Sequence, residues 1–359
     1  MHTCIAYLYK KEKQMYHIKG DNAVISVGII GSGAWGTTLA LLLAHKGIAI
    51  TLWEHHAERA AQMQQQRENS IFLPGFHFPD TLQVTSTIED AVANKDLLLL
   101  VTPSQRMREN VQLLAPHLGA ETLLVSASKG IEIASYKRMT EILAEELPTA
   151  QNRIATLSGP NLSREVAEGK PTAAVVAANK MEVAVHVRTL LTTSTFRVYS
   201  SKDVVGVELG GALKNIIAIC AGITEGLGYG ENAKAAIATR GLTEISRLGI
   251  AAGANPLTFL GLAGIGDLIA TCSSPLSRNQ QLGRRLAAGE KLSDILQSTH
   301  SVTEGVSTTK AALALATRYN VEMPITKQLS LVLFEGLPPH KAVQELMMRD
   351  LKGELEGIC

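Results

Sequence analysis

The hexapeptide Gly31-Ser32-Gly33-Ala34-Trp35-Gly36 constrains the fold more than any other feature, because of what stands on either side of it. An apolar, β-branched run, Val24-Ile25-Ser26-Val27-Gly28-Ile29-Ile30, leads into it. An alanine- and leucine-rich stretch from Thr37 to His45 leads out and stops at Gly47, which suits the C′ position of a helix. A second apolar run, Ile48 to Trp53, then ends at the acid Glu54. Three glycines in six residues mean little by themselves. Strand, G-x-G-x-x-G, helix, strand and an acid about 20 residues beyond the glycines together make the dinucleotide-binding pattern. Gly31 permits the tight turn, Gly33 lets backbone approach a pyrophosphate, and Gly36 lets the helix pack closely. The helix N-terminus offers free N–H groups and the positive end of its dipole to the phosphates.

With 359 residues the chain is long enough for two domains, each with its own core. A net charge of +1, with no basic run interleaved with aromatics, argues against a nucleic-acid partner. Cys4, Cys220, Cys272 and Cys359 are scattered without a CxxC pair, and the histidines lack HxxxH spacing. This predicts a reducing, cytoplasmic setting and neither a disulfide framework nor a metal site. The apolar segment Val204 to Ile223 is long, but Glu208, Lys214 and Asn215 lie inside it. Each is costly at mid-bilayer, so the segment reads as a buried helix and the protein as not membrane-embedded.

Residues 1–22 are polar, without a clear period, and read as a loose N-terminal extension in which Met15 is an internal alternative start. Over 23–200, strand-like runs at 24–30, 48–53, 97–102, 122–127, 153–158, 172–177 and 196–199 alternate with helical segments. This predicts an α/β domain with a mainly parallel sheet. Three of the runs end in Thr102-Pro103-Ser104, Ser126-Ala127-Ser128-Lys129-Gly130 and Ser158-Gly159-Pro160-Asn161, candidate walls of one crevice. Over 201–359 strand-like runs disappear, and an all-helical domain is expected.

Two clusters in that second half exceed what a scaffold needs. In Glu208-Leu209-Gly210-Gly211-Ala212-Leu213-Lys214-Asn215, a lysine sits in an apolar helix beside glycines. Burial would tune it for acid/base work, whereas a snorkelling surface lysine would look the same in sequence. In Gly264-Ile265-Gly266-Asp267, followed by Thr271 and Ser277-Arg278-Asn279, the acid could serve a site or cap a helix. Arg278 could hold a phosphate or make a surface ion pair.

The motifs GSGAWGTTLA, SKG, SGPN, ELGGALKNIIAI, AGIGDLIATC, SRN, VTEG and EMPIT occur in order over about residues 24–345. Through them the chain resembles the bacterial-type NAD(P)-dependent glycerol-3-phosphate dehydrogenases. The resemblance implies a Rossmann-type domain, a helical domain, and an active site between them. It also implies reversible hydride transfer from NAD(P)H to dihydroxyacetone phosphate, giving sn-glycerol 3-phosphate for phospholipid synthesis, in a cytoplasmic homodimer without metal. Carried over by residue, Lys214 is the proton donor and acceptor, and Lys129 meets both substrate and cofactor. Gly159, Asn161, Asp267, Ser277, Arg278 and Asn279 hold the substrate. Gly31, Ser32, Gly33, Ala34, Trp35, Gly36, Glu54, His55, Ser163, Arg278, Val302 and Glu304 hold the cofactor. The chain departs from the pattern at Asn161, where a small hydroxyl residue is more usual.

The residues themselves fit such a mechanism. Lys214 and Lys129 would stabilise alkoxide charge, while Arg278 and Asn279 would anchor a remote phosphate. Glu54 stands where an acid accepts from a ribose 2′-hydroxyl, whereas His55, His56 and Arg59 would welcome a 2′-phosphate. The expectation is that both cofactors work, with NADH somewhat favoured. Another β-hydroxyacid or phosphosugar dehydrogenase would share the first half of the chain but not the SRN and SGPN clusters. A non-catalytic NAD-sensing module would leave Lys129, Lys214 and Arg278 without a role.

Overall fold

The computed structural model describes residues 25–298, 302–351 and 353–354. The expected extension over 1–22, with Cys4 and Met15, lies outside the described residues, as does Cys359. The strands are β1 (Ser26–Ile30), β2 (Ala49–Trp53), β3 (Glu68–Asn69), β4 (Leu73–His77), β5 (Leu82–Thr85), β6 (Leu97–Leu100), β7 (Leu123–Ser126), β8 (Ile154–Ser158), β9 (Thr172–Ala178) and β10 (Phe196–Ser201). Eight of them form one sheet in the order β10-β9-β8-β7-β6-β1-β2-β5, and β3 and β4 pair separately.

Each of the seven expected runs is a strand of this sheet. The runs are legible because parallel strands covered on both faces are apolar throughout; Leu97, Leu98, Leu99 and Leu100 of β6 are all fully buried. The sheet is parallel except where β9 runs antiparallel to β8. The link between those two strands carries only the five-residue helix Ser163–Ala167, and it returns the chain along the neighbouring strand instead of crossing over the sheet. The edge strand β5 and the β3–β4 hairpin were not legible: Leu82-Gln83-Val84-Thr85 buries Leu82 and Val84 only, too short an alternation to stand out.

Between β1 and β6 the strand order reverses, and this opens the crevice at their carboxyl ends. Gly31 turns there with φ +114°, and a Cβ on it would stand 2.7 Å from the Val101 carbonyl. Helix Ala34–Ala44 follows, with Gly36 so close to the turn that a Cβ would lie 1.9 Å from the Gly31 carbonyl. Its C-terminal end closes as expected on Gly47 (φ +84°), where the Gly47 and Ile48 N–H groups donate to Ala44 and Leu43.

From Val204 onward the described chain is helical. The central helix Val204–Gly226 is long and apolar enough by composition to cross a membrane, yet its apolar stretch is almost entirely buried inside the protein. Its glycines set the packing. Gly222 meets helix Arg278–Ala287, and a Cβ on Gly283 of that helix would lie 2.1 Å from the Ile219 carbonyl. The buried Glu208 ties the helix to the sheet domain by accepting from Thr140 N–H (2.8 Å), Thr140 Oγ1 (2.6 Å) and Arg138 (2.5 Å). On the far side Glu244 caps helix Pro324–Phe334 through the Ile325 N–H (2.5 Å), which accounts for the EMPIT motif as an anchoring element.

The Gly222–Gly283 crossing sets where Arg278 emerges. Gly283→Ala should therefore overpack it and cost about 1–3 kcal/mol, seen as a lower urea midpoint. An unchanged midpoint would show that the two helices do not approach this closely.

Candidate active site

One cavity of about 1490 Å³ runs from the Gly31–Gly36 turn, between the two halves, to the N-terminus of helix Arg278–Ala287. Of the expected cofactor residues, Gly31, Ser32, Gly33, Ala34, Trp35, Gly36, Glu54, His55, Lys129, Ser163, Arg278, Val302 and Glu304 all line it. Gly33 stands open: nothing lies within 4 Å of where its Cβ would be. With the first N–H groups of helix Ala34–Ala44 beside it, this is a cradle for a pyrophosphate. The Trp35 indole N–H is buried without a partner in the protein, so a donor is left over at the same turn. These features fit a nicotinamide dinucleotide, with Gly33, Ala34 and Trp35 as the residues that would hold it.

Glu54 is turned inward. It is 1% exposed and accepts from Ser32 Oγ, from the His56 N–H (2.9 Å) and from Arg59 Nη2 (2.6 Å). Burial alone would raise its pKa, but the bonds from Arg59, Ser32 and His56 outweigh that and hold the carboxyl below its usual range. Both oxygens of the acid that the sequence pattern assigns to the cofactor thus accept from the protein, with one bond on Oε2.

At the other end, Asp267 lies between two lysines. Its Oδ2 accepts from Lys129 Nζ at 2.6 Å and its Oδ1 from Lys214 Nζ at 2.7 Å. Asp267 is the first residue of helix Asp267–Ser273; among the described residues no backbone N–H donates to its carboxylate, and ion pairing takes the place of the capping alternative. Lys129 also donates to the Gly159 carbonyl (2.9 Å) and to Asn161 Oδ1 (2.8 Å), so all three of its N–H donors are used. Lys214 donates to Asp267 and to Thr271 Oγ1 (2.5 Å), which leaves it one N–H beside the cavity it lines. Two buried ammonium groups share one carboxylate, a net positive site suited to a developing oxyanion. Burial pulls the Lys129 pKa down to about 8, with Asp267 raising it and Lys214 lowering it.

Gly159 and Asp267 do not line the cavity themselves; they hold residues that do. Gly159 takes φ +135°, and a Cβ there would stand 2.9 Å from Ala174 Cα. Because Lys129 can only donate, Asn161 must present Oδ1 to it, and its Nδ2 is then buried without a partner. Arg278 lines the cavity with no hydrogen bond or ion pair among the described residues; desolvation within the cleft lowers its pKa and Glu304 opposes this. Ser277 caps its own helix by accepting from Gln280 N–H (3.3 Å). Asn279 donates to Asn215 Oδ1 (2.9 Å) and accepts from Gly305 N–H (3.1 Å). Glu304 crosses to the sheet domain, where the Ser104 N–H (2.9 Å) and hydroxyl donate to it.

At Gly210-Gly211 other parts of the protein approach the helix closely. A Cβ on Gly210 would stand 2.5 Å from the Ala263 carbonyl, and one on Gly211 2.4 Å from Ser158 Oγ. These contacts bring the segments that carry Asp267 and Lys129 against the helix that carries Lys214. Thr271 is the site member not assigned from sequence; its position four residues after Asp267, on the same helix face, was the signal for it.

Fold and cleft together define a two-domain, nicotinamide-dependent oxidoreductase. Residues 26–184 match the family described as NAD-dependent glycerol-3-phosphate dehydrogenase N-terminus, and residues 203–344 the corresponding C-terminus. The glycerol-3-phosphate dehydrogenase [NAD(P)+] of Geobacter sulfurreducens is 51% identical over 329 residues, covering 91% of this chain and 98% of that protein. That of Dehalococcoides mccartyi is 49% identical, covering 92% and 93%. The crystal structure of glycerol-3-phosphate dehydrogenase from Coxiella burnetii superimposes with a TM-score of 0.87 at 38% identity, covering 90% of this chain and 99% of that one. The chain belongs to the NAD-dependent glycerol-3-phosphate dehydrogenase family.

The Lys129 charge is present below its pKa and lost above it. For ketone reduction, kcat/KM should therefore fall on the alkaline side with an apparent pKa near 8. A profile flat to about pH 10, the ordinary lysine range, would separate Lys129 from the reaction.

Proposed function

We propose that the cleft carries out reversible hydride transfer between NAD(P)H and dihydroxyacetone phosphate, with Lys214 as the group that delivers and removes the proton. The chain is an oxidoreductase that interconverts dihydroxyacetone phosphate and glycerol 3-phosphate using NAD(P)(H). The observation that carries the assignment of Lys214 is the distribution of donors around Asp267: every Lys129 N–H is engaged, whereas one Lys214 N–H remains. Bound NAD(P)H supplies the hydride.

As charge develops on the substrate oxygen, Lys214 donates its remaining N–H to it and then its proton, while Lys129 stabilises the same charge at short range. Asp267 holds both ammonium groups in place, and Thr271 Oγ1 fixes the Lys214 rotamer by accepting a hydrogen bond from it. Arg278, which lines the cavity without a partner among the described residues, takes the substrate phosphate. Its binding energy orients the carbonyl toward Lys214. Asn161 Nδ2 is the donor available to a substrate hydroxyl. The remaining contacts assigned to Ser277, Asn279, Val302 and Glu304 belong to the same reading. So do the division at about residue 200 into a dinucleotide-binding and a substrate domain, a homodimeric assembly and a cytoplasmic location. The buried, unpaired thiols of Cys220 and Cys272 are compatible with a reducing compartment.

Lys214→Ala should lower kcat at least about 100-fold with cofactor affinity unchanged. Asp267 keeps Lys129 as its partner, so the thermal midpoint should move little. Retention of more than a tenth of kcat in a folded variant would move the proton transfer to another group. Arg278→Ala should raise KM for dihydroxyacetone phosphate by roughly 30- to 150-fold, equivalent to about 2–3 kcal/mol for a charge-assisted contact, while an unphosphorylated ketone loses far less. Equal losses for both substrates would show that Arg278 is not the phosphate clamp.

A further inference from the structure

Arg278 and Glu304, of opposite charge, both line the cavity, and no ion pair joins them among the described residues. They start from neighbouring backbone: one residue beyond each, the Gly305 N–H donates to Asn279 Oδ1 (3.1 Å). Each feels the other. Burial raises the Glu304 pKa, while the Ser104 bonds and Arg278 lower it; burial lowers that of Arg278, while Glu304 raises it. A carboxylate and a guanidinium in one partly desolvated cleft attract each other strongly unless something holds one of them elsewhere.

Ser104, in the turn after β6, holds Glu304. Its N–H donates to Oε1 (2.9 Å) and its hydroxyl to Oε2. The serine is buried and does not itself line the cavity. Gln105 sets the direction of the hydroxyl. Its amide is oriented by the Ile131 carbonyl, which accepts from Nε2 (2.8 Å), and by the Ile133 N–H, which donates to Oε1 (3.0 Å). Nε2 also donates to Ser104 Oγ (3.1 Å), so the serine oxygen accepts there and its single proton goes to Glu304. Gly130 makes room for the contact. A Cβ on it would stand 2.4 Å from Ser104 Oγ and 3.0 Å from Glu304 Oε2.

We propose that Ser104 is a positioning residue for substrate binding: by holding the Glu304 carboxylate on the sheet domain, it keeps Arg278 free for the substrate phosphate. The proposal rests on the reading that Arg278 takes that phosphate. Carboxylate and phosphate compete for one guanidinium because each presents a pair of oxygens to its planar fork. A Glu304 released from Ser104 is an internal competitor. The loss then appears in binding of a phosphorylated substrate, and the steps that follow binding change little. A purely structural tether between the domains would behave differently: loosening it would lower kcat and affect phosphorylated and unphosphorylated ketones alike.

The test is steady-state reduction of dihydroxyacetone phosphate and of unphosphorylated dihydroxyacetone by the full-length protein at saturating reduced cofactor. Ser104→Ala, a nearly isosteric change, should raise KM for dihydroxyacetone phosphate about tenfold, the effect of one hydrogen bond to a charged group. Its kcat should stay within about twofold of wild type, as should kcat/KM for dihydroxyacetone. Added to Glu304→Gln, the same substitution should raise KM by no more than about twofold, because a neutral amide does not compete with phosphate for Arg278. Added to Arg278→Ala it should likewise have little further effect. An unchanged KM in Ser104→Ala, or an equal rise with and without Glu304→Gln, would overturn the proposal while leaving Arg278 as the phosphate clamp. If Arg278→Ala alone left KM for dihydroxyacetone phosphate unchanged, the clamp reading would fail, and the proposal with it.

Discussion

The site depends on a single carboxylate shared by two buried ammonium groups. Placing two ammonium groups in a largely buried site is costly unless a counter-charge lies beside them. Asp267 offsets that cost for both, at 2.6 Å from Lys129 and 2.7 Å from Lys214. Because one negative charge faces two positive ones, the cluster keeps a surplus that only a ligand can balance. A structural ion pair would close on itself. This one is left open on the side of Lys214.

That cluster exists only because three separate pieces of chain approach within backbone contact. Lys129 comes from the turn after β7, Asp267 from a short helix of the helical half, and Lys214 from the central helix. Gly210 and Gly211 admit the Ala263 carbonyl and the Ser158 hydroxyl against that helix, and Gly222 and Gly283 admit the helix that carries Arg278. The glycines therefore act on function through packing. A side chain at any of these positions would separate groups whose chemistry requires hydrogen-bond distance. Glu208 and Glu304 bind the same helical half back to the sheet domain, through Thr140 and Ser104.

Much of this was legible in the chain. The parallel strands announce themselves because both faces are buried, and the three glycines of the phosphate turn occupy the positions their spacing implies. Lys214 stood out as a charge in an apolar helix. What sequence left open was decided by side-chain direction. Asp267 occurs in a helix-entry turn, and nothing local distinguishes a cap from an ion pair whose partners are 53 and 138 residues away. Glu54 stands at the expected end of β2, yet its carboxylate accepts from Ser32, 22 residues earlier, and from Arg59, partners that the strand pattern does not reveal. Arg278 remained ambiguous because a missing surface partner cannot be read from spacing.

The account is tested most directly by a double-mutant cycle between Asp267 and Lys129. The rates of dihydroxyacetone phosphate reduction would be compared for Asp267→Asn, Lys129→Met and the combined variant. If Asp267 acts by holding the two lysines as one unit, the losses are strongly non-additive, and the double variant lies within about threefold of the slower single variant. Losses that multiply would mean that the two residues contribute independently, and would contradict the shared carboxylate as the basis of the site.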